Sequence, residues 1–386
     1  FLIRQMVPFS LPRFAKNIDS TYIESEERGN SMHTFKKTSI LLFSVMLAIG
    51  LVGCSNQSES KKGASTAAVE PKSETYFIFD TIVTIKVYDP RVTDQNFKEM
   101  HDMMKDIDQK MSRTVEDSEL SKIQQAAGKE AVKISDETYY VIKTAMKYAE
   151  MLDGRFDPAI GPLVSLWGIG TEGAKVPPKD EIEKNRKLSD FRKITLHDED
   201  KSVKLEEAGM ALDLGGIAKG YIADRIADYL TEHDFHSAII DLGGNIFALG
   251  KKPDGRLWTV GVQDPAESRG NQIGNIKVDN QTVVTSGIYE RYFVEDGKHY
   301  HHILDPDTGY PVENNLSSVT ILTDKSIDAD ALAKTFTLGL EKGLDFVEKL
   351  KGVEAVFITK DKKVYTTSGM KLNLTNDKYT LVASGN

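Results

Sequence analysis

Phe97, Met100, Met104, Ile107 and Met111 recur at helical intervals and draw one face of an amphipathic helix. Just before it, Tyr76–Tyr88 reads Y-F-I-F-D-T-I-V-T-I-K-V-Y. β-Branched and aromatic residues in partial alternation predict a strand or a bent hairpin arm. Ser112–Leu120 is polar and predicts a loop. Val141, Ala145, Tyr148 and Leu152 mark a second helix, with Ser135 or Asp136 as N-cap and Asp153-Gly154 as its stop. Lys175–Arg192 is a charged surface segment with room for a short helix, and Ile194–Glu206 predicts a hairpin turning over His197–Lys201. Leu257–Gln263, Gln272–Val278, Tyr289–Val294, His299–Leu304, Val353–Ile358 and Lys363–Thr366 predict strands, and Met370–Val382 a last strand region.

Two stretches break these periods. Phe156–Gly170, F-D-P-A-I-G-P-L-V-S-L-W-G-I-G, is apolar but cut by prolines and glycines. It is neither a clean helix nor a clean strand; such kinked backbone can line a pocket. There Trp167 either stacks on a planar ring or fills the core. Ala211–Gly220, A-L-D-L-G-G-I-A-K-G, predicts a strand that turns at Gly-Gly into a helix carrying Ile222, Ile226, Tyr229 and Leu230. A helix start leaves unpaired N–H groups that favour an anion. Lys219 adds a positive charge and Asp213 a carboxylate, so the stretch reads as a phosphate site or as a tight turn with a surface lysine. Its spacing fits neither a P-loop nor a G-x-G-x-x-G fingerprint. D-L-G-G recurs at Asp241–Gly244, which predicts two turn units facing one cleft.

Candidate chemistry gathers further on. His299, His301 and His302 lie together, but strand alternation puts His302 opposite the other two, which makes a three-His zinc site awkward. His302 reads as a structural or a functional histidine. Asp328 and Asp330 open a helix carrying Leu332, Phe336 and Leu340; the helix dipole is the first explanation of these carboxylates and a metal ligand the second.

The amino-terminal part follows other rules. Residues 1–31 show no period and read as a leader outside the native protein, with Met32 as the start. His33, Lys36 and Lys37 precede the apolar run Ile40–Val52, which is too short to span a membrane comfortably and fits a secretory signal over 32–53. Leu51-Val52-Gly53-Cys54 resembles the bacterial lipobox, so Cys54, the one cysteine of the chain, is expected to carry lipid. Ser55–Glu74 is a polar tether, which leaves 75–386 as the globular domain. The formal net charge of −9, without a long basic run, argues against nucleic acid as a partner.

Together, F156-D-P-A-I-G-P-L-V-S-L-W-G, L212-D-L-G-G-I-A-K-G-Y-I-A-D, T285-S-G, H302-I-L-D-P-D-T-G-Y-P and D328-A-D-A-L resemble, in order, the FAD:protein FMN transferase (ApbE) family. The resemblance implies an α+β fold: a two-part body of mixed, mostly antiparallel sheets flanked by helices, with the flavin in the cleft between the parts. It implies FAD as substrate, Mg²⁺ as cofactor, and transfer of FMN to a Ser or Thr hydroxyl of an acceptor protein with release of AMP. Carried over by motif, Phe79, Phe156, Asp157, Asp213, Lys219, His302 and Leu304 contact FAD. Gly216, through its carbonyl, and Asp330 hold the metal, and His302 and Asp330 are catalytic. With the lipobox, the implied place is the outer face of the bacterial cytoplasmic membrane.

Elementary chemistry agrees: cleaving a pyrophosphate needs its oxygens neutralised, and a metal with Lys219 would do so. The sequence departs from the family pattern where a Thr often follows the metal Asp by four residues. That position is Lys334, with Thr335 beside it, so either Thr335 supplies the hydroxyl after a local shift or Lys334 meets phosphate directly. Thr114 and Phe79 replace a family aromatic and a family Met. The competing readings are an Mg²⁺-dependent FAD pyrophosphatase and a non-enzymatic FAD-binding lipoprotein.

Overall fold

The structure, a computed structural model, describes residues 70–382. In chain order the elements are β1 (Lys72–Ile78), β2 (Thr81–Val87), α1 (Asp94–Met111), α2 (Glu119–Gln125), β3 (Val132–Lys133), α3 (Asp136–Met151), α4 (Gly161–Trp167), α5 (Lys179–Arg186), β4 (Ile194–His197) and β5 (Ser202–Leu205). They continue with α6 (Ala218–Glu232), β6 (Ser237–Leu242), β7 (Asn245–Gly250), β8 (Trp258–Gln263), β9 (Gln272–Val278), β10 (Gln281–Gly287), β11 (Tyr292–Glu295) and β12 (Lys298–His301). The last are β13 (Leu316–Thr323), α7 (Ser326–Leu332), α8 (Leu340–Glu348), β14 (Glu354–Thr359), β15 (Lys363–Thr366), β16 (Leu372–Leu374) and β17 (Thr380–Leu381).

Nine strands form one sheet in the order β1-β2-β6-β7-β10-β13-β14-β15-β17. Every pair is antiparallel except β15 with β17. Both faces are buried, and the alternation of side chains shows how. Phe247, Val284, Ala355 and Phe357 pack into the helix-covered core, whereas their neighbours Ala248, Val283, Val356 and Ile358 pack on the opposite face. There they meet Trp258, Val260 and Ile276 of the small sheet β16-β9-β8. β13, in the middle, is buried at every position. The fold is thus α+β with mainly antiparallel sheets, as expected.

The Met stripe of α1 is wholly buried, and Thr93 with Asn96 closes a capping box at its start. Tyr76–Tyr88 is a hairpin, β1 to β2, turning at Phe79 and Asp80 with φ of 57° and 54°. That is the left-handed pair a two-residue hairpin turn needs.

Other expectations are corrected. The polar loop expected over Ser112–Leu120 holds as far as Ser118; what was not expected is α2, which starts at Glu119 and is capped by Ser118 accepting from the Ser121 N–H. Phe156–Gly170 holds α4, because Pro162 sits in the first turn where no N–H is missed. Trp167 offers no face to a ligand: it is fully buried and donates its indole N–H to the Gly309 carbonyl at 2.8 Å. The helix at Asp328 does not run through to Leu340. It ends at Leu332, tightens into a 3₁₀ stretch over Ala333–Leu338, and Gly339, at φ 76°, starts α8. Met370–Val382 splits between two sheets, β16 pairing with β9 and β17 with β15.

Candidate active site

The start of α6 is built against α7. The chain ahead of it is not a strand: Ala211 makes a single bridge to Ile160, and the Asp213 N–H donates to the Pro158 carbonyl at 2.8 Å. Gly220 has no room for a side chain, since a Cβ there would stand 2.1 Å from the Ser326 carbonyl oxygen. This close approach lets the helices cap one another. The Gly220 N–H donates to Asp330 Oδ2 at 3.1 Å, and Asp224 accepts from the N–H groups of Ser326 and Ile327 at 2.8 and 2.9 Å. Burial pushes the Asp224 carboxyl up to about 6, against the pull of those two donors.

Asp330 is therefore fixed, and it is buried, at 1% exposed. Two ammonium groups face it: Lys219 Nζ lies 3.8 Å from Oδ2 and Lys334 Nζ 3.7 Å from Oδ1. Burial raises the Asp330 carboxyl, but the two lysines and the Gly220 N–H outweigh it and hold the group below its usual value. Burial in turn pulls the Lys334 ammonium down, with Asp330 opposing. Lys334 also donates to Ser286 Oγ at 3.1 Å and to the Asp330 carbonyl at 3.3 Å. Two cations on one carboxylate leave a net positive charge at the foot of a cleft. Among the described residues no three His, Cys, Asp or Glu side chains gather into a metal cluster. What the site offers a cation is one carboxylate and neutral oxygens, a donor set suited to a hard ion that keeps its waters.

The cleft has a volume of about 1300 Å³. Phe79, Phe156, Asp157, Asp213, Gly216, Lys219, His302, Leu304 and Asp330 all line it; the whole of the first D-L-G-G turn does so, and of the second only Gly243. Their roles differ. Phe79 is half-buried at the hairpin turn, while Phe156 and Leu304 are buried in the wall. Asp157 has both oxygens engaged by the main-chain N–H groups of Ala159 and Phe191, at 2.7 and 3.0 Å, so it fixes the loop that carries Phe156. Burial raises its carboxyl to about 6. Asp213 Oδ1 accepts from the Gly215 N–H, and Oδ2 pairs with Arg113.

His302 Nδ1 lies 3.2 Å from the Arg291 carbonyl oxygen. A carbonyl only accepts, so Nδ1 carries the proton and Nε2 keeps its lone pair. Burial, then the nearby Lys334 charge, lowers the ring to about 3, which makes it a neutral imidazole. His301 is buried and bonded to the Val312 carbonyl, a structural histidine; His299 stacks on Tyr292. Of the pair at the departure from the family pattern, Lys334 lines the cleft; Thr335 is fully buried and does not. Arg113, Arg269 and Arg291 line the cleft too and escaped sequence reasoning. Arg113 reaches Asp213 across 100 residues of chain, a contact that no local pattern announces. Cys54 and the lipobox lie outside the described residues.

A cleft of this size, with apolar wall residues and two lysines beside a helix start, suits a large ligand that carries an anionic group. The chain belongs to the ApbE family, whose model matches residues 79–357. It is 41% identical over 257 residues to an FAD:protein FMN transferase of Klebsiella pneumoniae, which covers 66% of this chain and 79% of the relative. It is 38% identical over 321 residues to the FAD:protein FMN transferase of Treponema pallidum, covering 79% and 89%. Among solved structures, the ApbE protein of Thermotoga maritima superposes with a TM-score of 0.70 at 34% identity, covering 79% of this chain and 97% of that one. The flavinyl transferase ApbE of Pseudomonas stutzeri superposes at 0.68 with 26% identity, covering 80% and 96%.

Proposed function

We propose that this protein is an FAD:protein FMN transferase: it moves FMN from FAD onto a Ser or Thr hydroxyl of an acceptor protein and releases AMP. The carrying observation is the cation-rich cluster of Lys219, Lys334 and Asp330 at the foot of a cleft of about 1300 Å³. That volume exceeds the roughly 300–1,000 Å³ of sites for drug-sized ligands. It suits a dinucleotide whose pyrophosphate meets the cluster while its ring system lies on the wall of Phe79, Phe156 and Leu304.

In the reaction the acceptor oxygen attacks the flavin-side phosphorus. The bond from that phosphorus to the bridging oxygen breaks, AMP leaves with the bridging oxygen, and a phosphoester joins FMN to the acceptor. Neutral His302, which its Nδ1–H bond to Arg291 keeps in the accepting tautomer, orients the hydroxyl by accepting its hydrogen bond at Nε2, and the hydroxyl proton is lost to solvent as the phosphoester forms. Lys219 neutralises charge growing on the phosphoryl oxygens. Mg²⁺ belongs to this reading: held by Asp330 and the Gly216 carbonyl, it supplies Lewis-acid neutralisation of the pyrophosphate when bound. In the same reading Cys54 is lipidated and the tether holds the enzyme at the outer face of the bacterial cytoplasmic membrane.

The test is mass spectrometry on an acceptor bearing a Ser/Thr flavinylation motif, incubated with the protein, FAD and Mg²⁺. An acceptor heavier by one FMN, with one AMP per event, is the expected result. AMP and free FMN beside an unmodified acceptor would make the protein a pyrophosphatase, and bound but intact FAD would make it a carrier.

A further inference from the structure

Both oxygens of the Asp330 carboxylate are already engaged. Oδ2 accepts the Gly220 N–H at 3.1 Å and faces Lys219 at 3.8 Å. Oδ1 faces the Lys334 ammonium at 3.7 Å. The other neighbours of that ammonium are the Ser286 hydroxyl and the Asp330 carbonyl, at 3.1 and 3.3 Å. The nitrogen thus sits among three oxygens, the surroundings that a hard cation seeks. The lysine side chain is 18% exposed against 2% for the carboxylate, so its charge is largely removed from solvent.

The stem of Lys334 is accommodated as well. A Cβ on Gly216 would stand 3.0 Å from Lys334 Cε and 3.1 Å from the Phe156 ring. The second glycine of the first D-L-G-G turn therefore leaves the space in which the lysine lies. Thr335 beside it is fully buried and does not line the cleft, whereas Lys334 does. Asp330 and Gly220 are locked by the junction of α6 and α7, whereas Lys334 carries its charge on a flexible four-carbon stem. Of the side chains set against the carboxylate, Asn245 is neutral and Lys219 and Lys334 are charged, and Lys334 alone faces Oδ1.

We propose that Lys334 is a built-in counter-cation of Asp330: it holds the divalent-cation position in the FAD-free protein, and FAD draws the ammonium onto its pyrophosphate, opening Oδ1 to the metal. The inference rests on the transferase reading and deepens it. It makes metal loading dependent on the nucleotide, and makes Lys334 a residue that meets the reacting group. Linkage then requires that metal raise the affinity for FAD by the factor by which FAD raises that for metal.

The experiment is a Mn²⁺ titration of the full chain, followed by electron paramagnetic resonance with and without FAD, for the wild type and for Lys334→Met. The wild type is expected to bind Mn²⁺ weakly alone and about tenfold or more tightly with FAD. Lys334→Met, with the charge gone and the stem kept, is expected to bind Mn²⁺ without FAD about tenfold more tightly than the wild type does. Two results overturn the proposal: a wild type whose Mn²⁺ affinity ignores FAD, or a folded Lys334→Met whose FAD-free affinity is unchanged. The first needs no variant. FAD binding, read separately by flavin fluorescence, keeps the two readings apart: no FAD binding sinks the transferase, whereas FAD binding without the metal effects sinks only the role of Lys334.

Discussion

The two D-L-G-G turns share four residues and little else. At Asp241–Gly244, Gly243 and Gly244 are left-handed, with φ of 61° and 101°, and close the hairpin between β6 and β7. Asp241 Oδ1 accepts from Gly244, three residues on. At Asp213–Gly216 neither glycine is left-handed, Asp213 Oδ1 accepts from Gly215, two residues on, and the chain runs into α6. The flanks decide. I-A-K-G-Y-I-A-D continues with helical spacing, whereas N-I-F-A-L is a short apolar run that pairs with the strand before it. Asp–Gly bonding therefore makes a turn available, and the next eight residues choose its use. One turn shapes the sheet; the other presents Lys219 and leaves space for Lys334.

That division can be broken by experiment. The largest effect is expected at the helix the first turn feeds: Asp330→Ala should slow AMP release about a thousandfold, since it removes the group organising both lysines. Chromatographic AMP assays check it, and undiminished turnover would strip the first turn of its chemical role. Next comes Gly243→Ala. Its Cβ would lie 2.0 Å from Thr81 Oγ1 on left-handed backbone, so urea unfolding should show a loss of about 1–3 kcal/mol. Gly215→Ala, on ordinary backbone, should cost less than about 1 kcal/mol. Equal losses would mean that the two turns are under the same strain.

Lys219→Ala should weaken FAD binding by about 10- to 100-fold, a charged hydrogen bond's worth, and leave the melting temperature in place. Unaltered affinity would remove phosphate from the first turn. The smallest effect concerns pH. The Asp224 carboxyl sits near 6 in the fold against an ordinary 3.8, so folding takes up a proton between those values. Its favourable share is complete below 3.8 and fades as pH rises through about 6. The melting temperature of the wild type, relative to Asp224→Asn, should therefore fall from pH 4 to pH 6; a flat difference would contradict the burial of that carboxylate.

Much of this was legible in the sequence, for stated reasons. The Met stripe of α1, the β1–β2 hairpin, β14, β15 and the capped helix start at Ser135 follow from local period and capping, which the final packing preserves; β13, buried on both faces, shows no apolar–polar alternation and was not singled out. The candidate site residues came from the resemblance of five motifs taken together, and the fold brings them to one cleft. What escaped depended on tertiary partners. Asp157 spends its oxygens on main-chain N–H groups, one of them 34 residues away. Trp167 is committed to Gly309, 142 residues on, which decides its two open readings for the core. The break after Leu332 was hidden because Leu332, Phe336 and Leu340 keep helical spacing across a change to 3₁₀.

The hairpin at the edge of the sheet has a mechanical consequence. β1 is outermost and holds to the body through seven residue pairs with β2. The chain enters at Lys72, and the Phe79-Asp80 turn on the cleft lies at the other end, about 20 Å away at strand rise. Tension directed along β1 would load all seven rungs together in shear, instead of peeling them one at a time. A pull in that direction is shared by the ladder before it reaches the turn on the cleft.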